Sequence, residues 1–267
     1  MSRLQENSKR LIKYIIFFFT SKSKRGFGIH SPFVFDFVRN VLNYTPRNQL
    51  FIKIEGIRKH LKSRKELIHL HAFGTRSKIH RNDLVQIGTL ANYSSVSKKY
   101  GRLLHSIVHH YSPNTIIELG TSFGISTFYM ACANDKTMIY TVEGETELVK
   151  IAKSNAEKLD LRNIQFINGI FLNEFEHLLA KAEFPLLIYI DGDHSYIHVL
   201  NYFNLALQYL KKEIILILDD INWSDEMTEA WKKIISSPAV KISIDLYKLG
   251  ILFFNTGIHK QHFRFFY

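Results

Sequence analysis

Ile116-Ile117-Glu118-Leu119-Gly120-Thr121-Ser122-Phe123-Gly124-Ile125-Ser126-Thr127 joins a short apolar run to a turn with two glycines and then to a helix-compatible segment. Such a strand–turn–helix unit brings main chain close to a ligand at the carboxyl end of a strand, where open α/β sheets bind nucleosides. Gly120 and Gly124 carry no Cβ, so the chain can turn tightly and admit a ligand against its backbone. The helix that follows aims unpaired N–H groups toward the same place. The spacing is not Gly-x-Gly-x-x-Gly, which argues against a dinucleotide and a nicotinamide-dependent oxidoreductase.

Downstream of Ser112, apolar runs at 115–119, 138–142, 164–167, 185–190 and 213–218 alternate with helical patterns at 125–133, 145–159, 172–181 and 196–210. That alternation predicts βαβ units and a parallel sheet. A helix is expected over 224–236. Two further β-rich runs, 240–247 and 250–254, are separated by Lys248 and Leu249 only and should pair as an antiparallel hairpin. The expected fold is therefore α/β: a Rossmann-like, seven-stranded, mostly parallel sheet with a C-terminal antiparallel hairpin and helices on both faces, preceded by a helical N-terminal extension.

The extension differs in charge. Residues 1–100 hold 20 Lys/Arg against 5 Asp/Glu, and residues 101–267 hold 15 against 19, giving the net +11 of the chain. This divides a basic N-terminal part, residues 1–94, from a core over 95–267. It suits an acidic partner or substrate as well as a merely solvated helical surface. Helices are expected at 7–20, from Ser31-Pro32 to Leu42 with Phe33, Phe37, Val38 and Val41 on one apolar face, at 49–65, and at 94–111. Residues 66–77 fit no pattern, and 21–28 read as a turn-rich link. The longest early apolar run, Tyr14–Phe19, is far short of the ~20 residues a spanning helix needs. A helix lying on a membrane surface and a plain packing helix both fit residues 11–19. No cleavage-site pattern follows the basic start, and the one cysteine, Cys132, excludes an intramolecular disulfide, so a cytoplasmic location is expected.

Polar residues gather at the predicted strand ends. Glu143 ends the second core strand, about 20 residues beyond the glycine turn, where an acid can accept ribose hydroxyls. The fourth strand ends in Asp191-Gly-Asp193-His194 and the fifth in Asp219-Asp220. Carboxylates crowded in this way repel unless a cation, a proton or a basic group intervenes, and oxygen-rich clusters suit Mg²⁺, Ca²⁺ or Mn²⁺. His194 is placed to act as a general base.

Together these residues resemble the class I S-adenosylmethionine-dependent methyltransferases, most closely the catechol O-methyltransferase-like branch. The stretches 29–35, 219–231 and 244–254 are similar to a small bacterial group of that fold typical of Bacteroidetes. The resemblance implies S-adenosyl-L-methionine as cofactor, with Glu118, Gly120, Ser122, Gly124, Ser126, Glu143 and Asp191 around it. It implies Asp191 and His194 as catalytic residues, and Asp191, Asp219 and Asp220 as ligands of Mg²⁺ or another divalent cation. Two positions depart from the branch. Asp220 stands where Asn is common, and His194 stands where a catalytic Lys is usual. Residues 71–77 also lack that group's acidic, glycine-rich run. No Asn-Pro-Pro-Tyr-type motif follows the fourth strand, which favours oxygen over nitrogen as acceptor atom. Trp223, Trp231 and Tyr196 suit either pocket wall or core. The expected reaction is methyl transfer to a hydroxyl of a small, anionic molecule, with the basic front as lid. RNA methylation, or S-adenosylmethionine binding without catalysis, is the alternative, and a homodimer is left open.

Overall fold

In a computed structural model the described residues are 3–22, 28–70, 84–209, 213–254 and 257–267, with side chains described from residue 12 onward. The chain begins with α1 (Arg3–Thr20) and α2 (Pro32–Phe37), a π-helical segment (Val38–Leu42), and α3 (Leu50–Ser63). Next come β1 (Leu67–His69), β2 (Leu84–Gln86), α4 (Ile87–Ser94) and α5 (Lys98–Tyr111). The alternating region runs β3 (Thr115–Leu119), α6 (Ile125–Ala131), β4 (Met138–Glu143), α7 (Thr146–Lys158), β5 (Ile164–Asn168), α8 (Phe171–Lys181) and β6 (Leu186–Ile190). It continues with α9 (Tyr196–Leu207), β7 (Ile214–Leu218), α10 (Asp225–Ser236), β8 (Ile242–Asp245), β9 (Gly250–Phe253) and β10 (Gln261–Arg264).

The fold is α/β and Rossmann-like. Eight strands form a mostly parallel sheet in the order β10-β8-β9-β7-β6-β3-β4-β5, and β1 and β2 make a separate antiparallel pair. Backbone contacts divide the chain into two units. One comprises residues 44–187 and 191–193, the other residues 1–43, 188–190 and 194–267.

In the first unit β3, β4 and β5 run parallel, with Glu118 level with Thr141 and Val142 level with Ile167. All five residues of β3 are buried, the pattern of a strand covered on both faces. β5, at the end of the strand order, buries none of its residues fully. α5 starts where the Ser97 hydroxyl accepts the Tyr100 N–H, later than the expected helix from residue 94, and ends at Ser112 with φ 44°. The residues before it make a distinct helix, α4, because Ser95 is extended and breaks the run. β1, only three residues long, explains why residues 66–70 showed no period. Residues 71–77 themselves lie outside the described residues, as do 23–27 of the early link and 210 of the fourth helix expected in the alternating region.

In the second unit Ser31 caps α2 as expected, with Pro32 in the first turn, but the helix passes into π geometry at Val38. Phe37, Val38 and Val41 are buried and Phe33 is half-buried. α1 packs through Phe17, whose ring meets Tyr247 edge-on at 5.2 Å, while Ile12, Ile15, Ile16 and Phe19 are exposed. Among the described residues no helix is long and apolar enough to cross a membrane.

The expected hairpin is present: β8 and β9 pair antiparallel with Asp245 opposite Gly250. Its turn is longer than two residues. The Asp245 carboxylate accepts the Tyr247 N–H at 2.8 Å, and Tyr247 takes a left-handed conformation, which ends the strand early. The eighth strand, β10, lies parallel to β8. Among its four residues only Phe263 is buried, so it left no apolar alternation to read.

Candidate functional site

β3 delivers the chain to Gly120, whose φ of +108° is open to glycine and strained for other residues. A Cβ there would sit 2.6 Å from the Asp191 carbonyl oxygen, so the turn and the segment after β6 touch main chain to main chain. The Asp191 N–H donates to the Leu119 carbonyl at 2.9 Å, and the Gly120 N–H donates to Val142 at 2.9 Å. Ser122 and Gly124 also have positive φ, and the Gly124 N–H closes the turn on the Thr121 carbonyl at 2.8 Å. Gly120, Ser122, Gly124 and Asp191 are thus parts of one tight loop system.

Glu118 braces that loop from beneath. It is fully buried, and its carboxylate accepts hydroxyls from Ser126 at 2.6 Å, Thr141 at 2.7 Å, and Thr127. Burial pushes its pKa up to about 7; the three hydroxyls oppose the rise, and the neighbouring Glu143 adds to it. Ser126 and Glu118 therefore satisfy each other inside the fold.

Glu143, at the end of β4, is buried with its two oxygens divided. Oε2 accepts the Ser122 N–H at 2.9 Å, and Oε1 accepts the Glu145 N–H at 3.0 Å. The Ser94 hydroxyl, at the end of α4, lies 2.8 Å from that of Ser122. A cavity of about 300 Å³ opens at the start of α7, lined by Leu67, Ile68, His69, Glu145, Thr146 and Glu147.

The second unit holds the other acidic group. Asp219 follows β7 and is buried; its N–H donates to the Ile190 carbonyl at 2.9 Å. The Tyr189 hydroxyl donates to Asp219 Oδ2 at 3.3 Å, and the Asp220 N–H donates to Asp219 Oδ1 at 2.8 Å. Lys248, in the β8–β9 turn, places Nζ 3.1 Å from Asp219 Oδ2 and 3.1 Å from Asp220 Oδ1. His194 Nε2 is 3.9 Å from Asp220 Oδ2. Burial raises the Asp220 pKa and Asp219 raises it further, while Lys248 and His194 act against the rise.

This donor set does not fit a divalent ion as it stands. A hard cation would need carboxylate oxygens at about 2.0–2.6 Å, and one oxygen of each aspartate already faces an ammonium. Among the described residues no group of three or more His, Cys, Asp or Glu side chains is arranged to hold a metal. Trp231 belongs to the core, its ring filling the space beside Gly250, whereas Trp223 is largely exposed.

Residues 117–221 match the family model described as a methyltransferase domain. This region is similar to a methyltransferase domain. The chain is 27% identical over 143 residues to a catechol O-methyltransferase of Niastella koreensis, a match covering 52% of this chain and 63% of that relative. The methyltransferase fold extends further than the sequence match. An O-methyltransferase from Bacillus cereus in complex with SAH superposes with a TM-score of 0.55 at 16% identity, covering 81% of this chain and 96% of that one. An SAH-bound methyltransferase from Podospora anserina gives 0.58 at 13% identity, with 85% and 97% covered.

Two residues near the site carry no local sequence signal for their role. Ser94 opens a helix-compatible segment, and nothing in that pattern marks it as a partner of the glycine loop. Lys248 reads as a turn residue, although crowded carboxylates call for a cation and lysine is one.

Proposed function

We propose that the protein transfers a methyl group from S-adenosylmethionine to a hydroxyl oxygen of a small molecule. Glu143 carries this reading. Its carboxylate is clamped between the N–H groups of Ser122 and Glu145, so it is held in one orientation at the end of β4, where an acid can accept ribose hydroxyls. Gly120, having no Cβ, lets the turn close against the Asp191 main chain, which shapes the loop at the carboxyl end of β3 where open α/β sheets bind nucleosides. When bound, S-adenosylmethionine supplies an electrophilic methyl group on a sulfonium.

The chain's own residues then have four tasks. Gly120, Ser122 and Gly124 shape the loop, and Glu118 with Ser126 braces it. Glu143 holds the ribose. The backbone and carboxylate of Asp191 border the reacting end, where alignment of oxygen with methyl is worth most of the rate. His194 takes the proton: the acceptor's O–H bond breaks toward the imidazole as its oxygen bonds to the methyl carbon and the carbon–sulfur bond breaks. Asp220 Oδ2 faces the ring that becomes charged. The basic front, residues 1–94, is proposed to favour an anionic acceptor through its charge. The likeness to a catechol O-methyltransferase supports a hydroxyl acceptor.

Calorimetric titration with S-adenosylmethionine and S-adenosylhomocysteine tests the reading. Micromolar binding is expected, weakened about tenfold or more by Glu143→Ala, a loss of one or two hydrogen bonds to a charged group. His194→Ala should bind as the parent does and methylate a catechol probe about a hundredfold more slowly. Equal affinity in the Glu143 variant would remove the proposed site.

A further inference from the structure

We propose that Lys248 is the resident cation of the Asp219–Asp220 pair and that methyl transfer in this protein runs without a divalent metal. The inference rests on the methyltransferase reading above, but its decisive measurement does not.

The ammonium sits at equal distance, 3.1 Å, from one oxygen of each aspartate. Two adjacent carboxylates, one of them fully buried, need compensation for being out of water, and Lys248 supplies it in hydrogen-bonding geometry. A divalent ion entering between the same oxygens would meet an ammonium already there, and the two positive charges repel.

The lysine is held there by its backbone. Its carbonyl accepts the Ile221 N–H at 3.1 Å, and the Asn222 side-chain amide donates to the Tyr247 carbonyl at 2.7 Å. Within the turn, the Lys248 N–H donates to Leu246 and the Leu246 N–H to Leu249, both at 2.9 Å. The two residues after the aspartates therefore grip the turn that carries the lysine. Loop and turn form one hydrogen-bonded piece, and the side chain is about two-thirds buried, with 31% exposure. A surface lysine that happened to swing inward would have no such support.

Asp219 and Asp220 bring two carboxylates together, and the positive charge of Lys248 answers them from within the chain.

Electron paramagnetic resonance of free Mn²⁺, titrated with the purified full chain, reads metal uptake without reference to activity. The parent protein is expected to leave the Mn²⁺ signal undiminished, and EDTA to leave its S-adenosylmethionine affinity unchanged. Lys248→Met should open a manganese site that the added change Asp220→Asn closes again, while Lys248→Arg should behave as the parent. Uptake of Mn²⁺ by the parent, lost in Asp219→Asn, would overturn the proposal. So would a folded Lys248→Met protein that gains no site. Should Lys248→Met not fold by circular dichroism, the parent titration alone decides. Absence of S-adenosylmethionine binding would instead sink the transferase reading and leave the manganese result standing.

Discussion

Glu118 and the Asp219–Asp220 pair solve the same problem by opposite means. Each places carboxylate oxygens out of water. Glu118 is satisfied by three neutral hydroxyls and keeps its charge only weakly, with its pKa lifted to about 7. The aspartate pair is met by a full positive charge, Lys248, with His194 beyond it. Neutral donors build a brace that is indifferent to salt and sensitive to protons. A cation builds a centre that can sit beside a reacting group and stabilise a charge that moves. The brace lies under the glycine loop, and the charged centre lies with the proposed base.

The comparison breaks most completely at Gly120. Gly120→Val adds a branched side chain at φ +108° and drives its Cβ toward the Asp191 carbonyl, so the loop that Glu118 braces can no longer close. The backbone strain alone costs about 1–3 kcal/mol, with the steric contact in addition. Calorimetry should show cofactor binding lost, while the manganese behaviour of the Asp219–Asp220 centre stays that of the parent. Retained binding would mean that the loop's close approach is dispensable.

Glu118→Gln sharpens the contrast next. A carboxylate whose folded pKa is raised stabilises the fold fully below its unfolded value, near 4.5, and that contribution is lost as pH rises through about 7. The parent should therefore lose roughly 3 kcal/mol of stability from this group between those limits. Glutamine keeps the shape, does not titrate, and should flatten that part of the curve. Chemical denaturation followed across pH 4–8 measures it, and parallel curves for parent and variant would assign the proton elsewhere.

Much of this was legible in the sequence, and the reasons differ by region. β3, β4, β6 and β7 are covered strands, so their continuous apolar runs announced themselves. The glycine turn and Glu143 could be read because a close backbone approach and a buried acid each demand a particular residue type. β10 could not, since only Phe263 turns inward. The π-helical segment after Phe37 could not either, because its residues carry the same apolar spacing as a helix. The pairing of Lys248 with Asp219 and Asp220 spans 28 residues or more and is set by the hairpin, so no local pattern records it. The need for it was visible, in two adjacent carboxylates, but its source was not.

Ser94 offers the smallest effect and the finest test of the neutral side of the comparison. Its hydroxyl meets that of Ser122 at 2.8 Å, and the Ser122 N–H in turn holds Glu143. Ser94→Ala removes one neutral hydrogen bond from the chain that orients Glu143, the proposed ribose-binding acid, worth about 0.5–1.5 kcal/mol at most and shared among the groups it supports. S-adenosylmethionine affinity should fall by about threefold, with no change in the response to EDTA or in the pH at which stability declines. Because Ser122 has a positive φ, its position depends on the partners around it rather than on its own preference. A loss as large as that of Glu143→Ala would show that Ser94 holds the loop in place by itself, and that the brace under Glu118 does not suffice to shape it.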